Sequence, residues 1–273
     1  MRASLSSIVD PNKVGVDTSI IALAGAANVE ARFAPLRYSL TDAEINRYRQ
    51  HARAVARAVE STARAVEPGM RERDIEAMLA AEIIKSGARP TVLLIAADER
   101  FSKYRHPIPT DNRVGSFVAL STCSRRWGLT AAVTRLVNFG ELNDALALKY
   151  EALQNVEARL LAASKPGRTS GRVFQELQSW YEEFGFADEW KYHHQGGATG
   201  YLEREWVATP SGQQTIQSKQ AFAWNPTIQG TKIEDTIIAG DSGCEIMTVT
   251  GEWPSDDIDT GEFVISRPAI LIR

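Results

Sequence analysis

Two kinds of hydrophobic spacing occupy this chain in alternating blocks, and their order constrains the fold more than any other feature of the sequence. Apolar residues recur at helical spacing between residues 41 and 86, and again between residues 141 and 184. Short segments rich in β-branched and apolar residues follow each helical block, within 90–137 and 219–250. Helices followed by strands, twice over, predict an α+β fold in which helices flank an antiparallel sheet.

A capping box marks the start of the first helical block. The side chains of Thr41 and Glu44 can each accept a hydrogen bond from a free backbone N–H group at the start of a helix. The helix that follows is predicted to end near Pro68. Residues 1–40 have no sustained period and are predicted to form a strand and linker or a packed arm, so residues 41–273 form the main domain.

Composition and charge exclude several classes of protein. The 31 Lys and Arg residues nearly balance the 34 Asp and Glu residues, so the net charge of −3 predicts neither a nucleic-acid partner nor an anionic membrane surface. No run approaches the ~18 consecutive apolar residues of a membrane span. The first residues lack the apolar stretch of a signal peptide and the two cysteines cannot form a disulfide framework, so a cytoplasmic protein is predicted.

Three of the four histidines lie in two segments of unusual local sequence. His106 precedes a proline, which restricts His106 to extended backbone geometry just before a strand. His193 and His194 precede a glycine-rich segment that allows the backbone to approach a ligand closely, so Gly196 and Gly197 are predicted to lie in a binding site. A surface position for His106 and an ordinary glycine turn are the alternatives.

Two strands near the C-terminus carry polar side chains at an end. An apolar strand over residues 221–226 ends in Asn225, with Trp224 beside it. In the strand that follows, alternation sends Glu234 and Asp235 to opposite faces. One of these carboxylates is predicted to face a site that Trp224 lines with apolar surface, and core packing is the alternative for the tryptophan.

The order of these motifs resembles the pita-bread superfamily of methionine aminopeptidases, prolidases, Xaa-Pro aminopeptidases and creatinase. The resemblance covers about three quarters of the chain. It implies the pita-bread fold for residues 41–273, an arm or a remnant of an N-terminal domain at residues 1–40, and a homodimer. The motifs that carry it are Glu67-Pro68-Gly69-Met70, His106-Pro107-Ile108-Pro109, the strand pair 117–138, His194-Gln195-Gly196-Gly197, Phe222–Pro226 and Ile233-Glu234-Asp235-Thr236.

The metallopeptidases of this superfamily hold two divalent ions with two aspartates, one histidine and two glutamates. The resemblance places Ser121, Ala132, His194, Asn225 and Glu234 at these positions, so two of the five ligands remain. The formal charge of the ligand set falls from −4 to −1, and two dications about 3.5–4 Å apart would repel each other strongly. We therefore expect no paired metal ions and no cofactor. One ion held by His194, Glu234 and a third group such as His193 is the alternative.

Creatinase cleaves a C–N bond on this fold without metal, so the leading interpretation is a metal-independent hydrolase or lyase acting on a small substrate. His106, His194 and Glu234 are predicted to be catalytic, because a neutral histidine can take a proton from water and return it to a leaving nitrogen. The predicted substrate-binding residues are His193, Gly196, Gly197, Tyr201, Arg204, Trp224 and Asn225. A pita-bread pseudoenzyme that binds or scaffolds, and a metallo-aminopeptidase of the Xaa-Pro type, are the alternatives.

Overall fold

The structure is a computed structural model that describes residues 7–17 and 25–273. The parts of the predicted N-terminal arm at residues 1–6 and 18–24 lie outside the described residues. In the rest of the arm, two short strands pair in parallel. They are β1 (Gly15–Val16) and β2 (Ala27–Asn28).

The capping box predicted at Thr41 begins a long helix, α2 (Asp42–Ala65). The Oγ1 atom of Thr41 accepts a hydrogen bond from the backbone N–H of Glu44, and Glu44 Oε2 accepts one from the backbone N–H of Thr41. The other helices of the described residues are α1 (Glu30–Phe33), α3 (Glu72–Lys85), α4 (Glu99–Lys103), α5 (Asp144–Ala163) and α6 (Ser170–Glu183), with short 3-10 helices at Pro11–Lys13, Ala34–Arg37 and Glu189–Tyr192.

The first large sheet corresponds to the first predicted strand block. It contains, in spatial order, β15 (Leu271–Ile272), β5 (Leu129–Asn138), β4 (Phe117–Arg126) and β3 (Arg89–Ala97). The three longer strands are antiparallel, and β15 runs parallel to β5. Helices α2 and α3 pack against this sheet and bury its apolar side.

The second large sheet corresponds to the glycine-rich segment and the C-terminal strand block. It contains, in spatial order, β12 (Gly243–Ile246), β11 (Asp235–Gly240), β8 (Ala221–Trp224), β6 (Gly196–Thr199) and β7 (Trp206–Val207), all antiparallel to their neighbours. Helix α5 packs against this sheet, and the large apolar core lies among α5, α6 and the sheet.

The two sheets meet where β5 crosses the start of β11. The backbone N–H of Thr134 donates to the carbonyl of Glu234 at 3.0 Å, and the backbone N–H of Ala132 donates to Thr236 Oγ1 at 2.8 Å. This junction holds Glu234, which directly precedes β11, against the middle of the first sheet.

Two small hairpins complete the described β structure. The first pairs β9 (Thr227–Ile228) with β10 (Thr231–Lys232), and the second pairs β13 (Ser255–Asp259) with β14 (Val264–Pro268). The described residues contain no helix that is both long and apolar enough to cross a membrane. Helices and antiparallel sheets in this arrangement confirm the predicted α+β class.

Candidate functional site

A cavity of about 180 Å³ opens beside the junction of the two sheets. One wall comes from the facing side chains of β3 and β4, and the opposite wall comes from the glycine-rich segment and the C-terminal strands. The lining residues are Val92, Leu94, His106, Ser121, Thr122, Cys123, His194, Glu203, Arg204, Asn225, Lys232 and Glu234.

Glu234 lies at the bottom of the cavity as a buried carboxylate. Its Oε2 atom accepts a hydrogen bond from Thr134 Oγ1 at 2.9 Å and lies 2.9 Å from Lys232 Nζ. Burial acts to raise the pKa of Glu234, but the charges of Lys232 and Arg204 outweigh it and hold that pKa below its ordinary value. Glu234 is therefore ionised at neutral pH and paired with an ammonium group.

The strand alternation predicted for the next residue is confirmed, because Asp235 points away from the cavity. It accepts a hydrogen bond from Arg135 Nη2 at 3.0 Å and forms an ion pair with Arg267, all three side chains being buried. Arg267 also pairs with Glu157 at 2.7 Å. Asp235 belongs to a structural ion cluster beneath the sheet, and Glu234 belongs to the cavity.

Three imidazoles come together beside the cavity, with His106 and His194 in its lining and His193 behind them. The Nε2 atoms of His106 and His193 lie 3.1 Å apart, although the two residues are 87 positions apart in the chain. The ring of His194 stacks on His193 with 4.4 Å between ring centroids. Burial, with help from neighbouring positive groups, lowers the pKa of His193 to about 2 and of His194 to about 4, and it lowers the pKa of His106 as well. All three rings are therefore neutral at pH 7.

The backbone fixes which nitrogen of His194 carries the proton. The N–H of Gly196 donates to His194 Nδ1 at 3.3 Å, so this nitrogen is an acceptor and the proton of the neutral ring is assigned to Nε2. His194 is thus a hydrogen-bond donor through Nε2. A metal ion on Nδ1 would have to displace the backbone N–H.

The glycines at 196 and 197 have a structural role that differs from the predicted one. Gly196 has φ +97°, and a Cβ atom there would lie 2.2 Å from the carbonyl oxygen of Ala223 on β8. Gly197 has φ +152°, and a Cβ atom there would lie 2.3 Å from the carbonyl oxygen of Trp206 on β7. These glycines allow β6 to fit closely between its two neighbours, and neither is among the residues that line the cavity, so a ligand contact at these positions stays a prediction.

Two further predicted substrate contacts lie elsewhere. Trp224 is 1% exposed, stacks on Phe222 and donates its indole N–H to Ser164 Oγ at 2.8 Å in the core. The hydroxyl of Tyr201 is hydrogen-bonded to Glu44 on α2. Neither Trp224 nor Tyr201 is among the residues that line the cavity, so their contact with a substrate stays a prediction that this arrangement does not favour. His193 lies behind the cavity wall and reaches the site through His106.

Arg204 and Asn225 line the cavity as predicted, and each carries a buried atom without a partner. Arg204 Nε and Asn225 Oδ1 have no hydrogen-bond partner within residues 7–17 and 25–273. Arg204 Nη2 lies 3.6 Å from Glu234 Oε1, which is beyond hydrogen-bonding distance, and Nη1 donates to the carbonyl of Glu203 at 2.6 Å. These groups can bind a ligand that enters the cavity.

Lys232 lines the cavity but is not among the site residues that the sequence predicts. It is 4% exposed and its ammonium group lies against the candidate catalytic carboxylate. The signal was present, because Lys232 precedes Glu234 by two residues and side chains two apart in an extended chain lie on the same face.

The residues at the superfamily's metal positions do not fit two divalent ions. Ser121 Oγ is hydrogen-bonded to Thr134 Oγ1 at 2.8 Å, and Ala132 offers a methyl group. The ammonium of Lys232 lies 2.9 Å from Glu234, where it competes with any metal for that carboxylate. The donor nitrogens of the three clustered imidazoles lie within 4.8 Å of one another, so geometry offers a single-ion alternative there.

Comparisons with known proteins agree with this architecture. The sequence pattern of Metallopeptidase family M24 matches residues 46–242. An Xaa-Pro dipeptidase of Pyrococcus furiosus is 24% identical over 224 residues, which cover 79% of this chain and 64% of the relative. The chain thus matches somewhat less than two thirds of that relative's length.

Solved structures share the fold. The prolidase from Pyrococcus furiosus superposes with a TM-score of 0.77 at 22% identity, covering 83% of this chain and 70% of that one. The dipeptidase PepE from Mycobacterium ulcerans superposes with a TM-score of 0.78 at 18% identity, covering 92% of this chain and 66% of that one. The predicted pita-bread fold is confirmed, and the chain belongs to metallopeptidase family M24.

Proposed function

We propose that the protein is a hydrolase that cleaves a C–N bond of a small substrate by histidine acid–base chemistry, without the paired metal ions of its relatives. The observation that carries the proposal is the ion pair of Lys232 with Glu234, 2.9 Å long and buried beside three neutral imidazoles. A fixed ammonium and neutral proton-transfer groups replace the anionic ligand set that two dications need.

His194 is proposed to polarise the substrate. Its Nε2–H points away from the Gly196 N–H that occupies Nδ1, and its pKa of about 4 keeps the ring neutral at pH 7. A neutral imidazole that donates to a carbonyl or imino group stabilises the negative charge that develops there.

His106 is proposed to be the general base. Its ring is exposed at the cavity mouth, so the cost of desolvating a positive charge is smaller there than at buried His193. Partial burial and the charges of Lys232 and Arg204 lower the pKa of His106, while the negative charge of Glu234 favours its protonation. His106 takes a proton from the attacking water, the water oxygen bonds to the substrate carbon, and the proton passes to the nitrogen as the C–N bond breaks.

The proposal is tested with protein purified in chelator and screened against small amides, ureas and amidino compounds. Turnover without added metal is expected, and His106→Gln should reduce kcat by about 10²-fold or more. His51→Gln is the matched control, since His51 is a buried histidine that contacts the carbonyl of Ser124 in another part of the molecule. Activity that appears only with about two metal ions per chain, measured by plasma spectrometry, would overturn the proposal.

Two other functions have specific support. Ala132 and Asn225 at metal positions favour a pseudoenzyme, for which ligands would raise Tm without any product. The names of the relatives favour an Xaa-Pro metallopeptidase, for which an Xaa-Pro dipeptide would be cleaved after addition of manganese or cobalt. The ion pair on Glu234 argues against this third function.

A further inference from the structure

The cavity contains more buried positive charge than buried negative charge. Lys232 is 4% exposed, and the side chain of Arg204 is 19% exposed. Glu234 is the one buried carboxylate among the described residues that line the cavity, while Glu203 lies at the exposed rim, where water screens its charge. Two cations against one carboxylate give the interior about one net positive charge.

Several hydrogen-bond donors in this interior are unused. Lys232 has three N–H donors, and Glu234 accounts for one of them. Arg204 Nε is buried and has no partner among the residues that the structure describes. Asn225 is 2% exposed and its side-chain oxygen is equally unpartnered, and a half-turn of this amide presents its NH₂ group at the same point.

We propose that the cavity is an anion site that binds the carboxylate of a small ligand between Lys232, Arg204 and Asn225, at the place where the superfamily holds metal ions. A monoanion neutralises the single net positive charge, and a carboxylate matches the fork of the guanidinium group. This inference rests on the proposed function and names its substrate class, a small carboxylic acid that contains the C–N bond. The space of about 180 Å³ limits the ligand to a small molecule.

The test compares two probes of equal size that differ in charge, N-acetylglycine and the neutral N-acetylglycinamide. Isothermal titration calorimetry on the chelator-treated full chain should give the acid at least about tenfold higher affinity, because charged hydrogen bonds to buried donors are lost with the amide. Equal affinities, or no binding of either probe, would overturn the anion site. Tighter binding of inorganic phosphate than of N-acetylglycine would overturn the assignment to a carboxylate.

Single substitutions in the cavity are expected to change ligand affinity in opposite directions for an anion site and for a metal site. Asn225→Asp adds a carboxylate and should weaken N-acetylglycine binding about tenfold or more, whereas it would strengthen binding of a divalent metal. Asn46→Asp makes the same charge change on the exposed face of α2 and should leave binding unchanged. Glu234→Gln frees Lys232 and should strengthen binding of the acid. Weaker binding in Glu234→Gln, with a Tm that shows a folded protein, would refute the proposal.

Binding and turnover separate the two proposals. Selective binding of the acid without turnover of any C–N substrate would leave the anion site standing and remove the hydrolase. Turnover of neutral amides without selective binding of acids would support the hydrolase and remove the anion site.

Discussion

Replacing Lys232 with methionine tests the central ion pair of the cavity. Lys232 and Glu234 have side chains that are 5% and 3% exposed and lie 2.9 Å apart. Methionine is close to lysine in length, so the change removes the charge with little loss of packing. Glu234 then remains as a buried carboxylate without its nearest cation.

The loss in free energy of unfolding depends on the groups that remain around Glu234. Breaking a buried ion pair by removing one partner costs roughly 3–5 kcal/mol. The hydrogen bond from Thr134 persists, and Arg204 stays 3.6 Å away, so the lower end applies. A loss of about 3 kcal/mol corresponds to a fall in Tm of roughly 6–12 °C for a domain of this size.

The pH dependence has a definite sign. In the native protein the pKa of Glu234 lies below its ordinary value, so its contribution to stability is present above the unfolded pKa of about 4.3 and is lost as pH falls further. Without Lys232, burial is expected to raise the pKa of Glu234 in the folded protein above its value in the unfolded chain, which is about 4.3. The variant then loses stability as pH rises, so the Tm difference should be larger at pH 8 than at pH 5.

Thermal unfolding of both proteins at the two pH values measures this effect. Lys191→Met is the matched control, because Lys191 forms an exposed pair with Asp188 at 2.6 Å whose loss should leave Tm almost unchanged. Adding Glu234→Gln to the variant should recover most of the lost stability. An equal fall in Tm at pH 5 and pH 8, or no recovery in the double variant, would refute the assignment of a buried charge pair.

Three further predictions concern other parts of the molecule. Gly196→Ala should unfold the protein or lower its stability by more than about 3 kcal/mol, because the new Cβ would lie 2.2 Å from the carbonyl of Ala223, and circular dichroism measures the loss. Burial raises the pKa of Glu157 to about 7 despite its pairing with Arg267. Ionisation of this group therefore lowers the free energy of unfolding as pH rises from the unfolded pKa of about 4.3 towards 7. Glu157→Gln should abolish this fall in a plot of Tm against pH. Nitrogen NMR should find the Nε2–H tautomer of His194 at pH 7, with no protonation above about pH 5, and a proton on Nδ1 would contradict the proposed donor role.

Much of the fold follows from local sequence rules. The capping box at Thr41 begins α2 where the sequence predicts, since a cap depends on residues three positions apart. Glu234 and Asp235 face opposite sides as predicted, because strand geometry alone sets this alternation. The family resemblance added the identity of the fold, which hydrophobic spacing leaves open within the α+β class.

The composition of the site depended on contacts that no local rule contains. His106 and His193 meet across 87 positions, and Thr134 donates a hydrogen bond to Glu234 across 100 positions. Glycine-rich sequence predicts close approach of a ligand, and at Gly196 and Gly197 it also serves strand packing, because the same absence of a Cβ satisfies both demands.

The sequence by itself therefore determined the elements, their order and the chemical identity of the site's side chains, all of which follow from short-range periodicity and residue type. The tertiary structure decided which of those side chains share a buried space and which charges face each other. Electrostatic energy depends on distances of a few ångströms in a low-dielectric interior, and such distances between remote segments are set only by packing. That is why Arg204 lies beside Glu234 and why Trp224 belongs to the core.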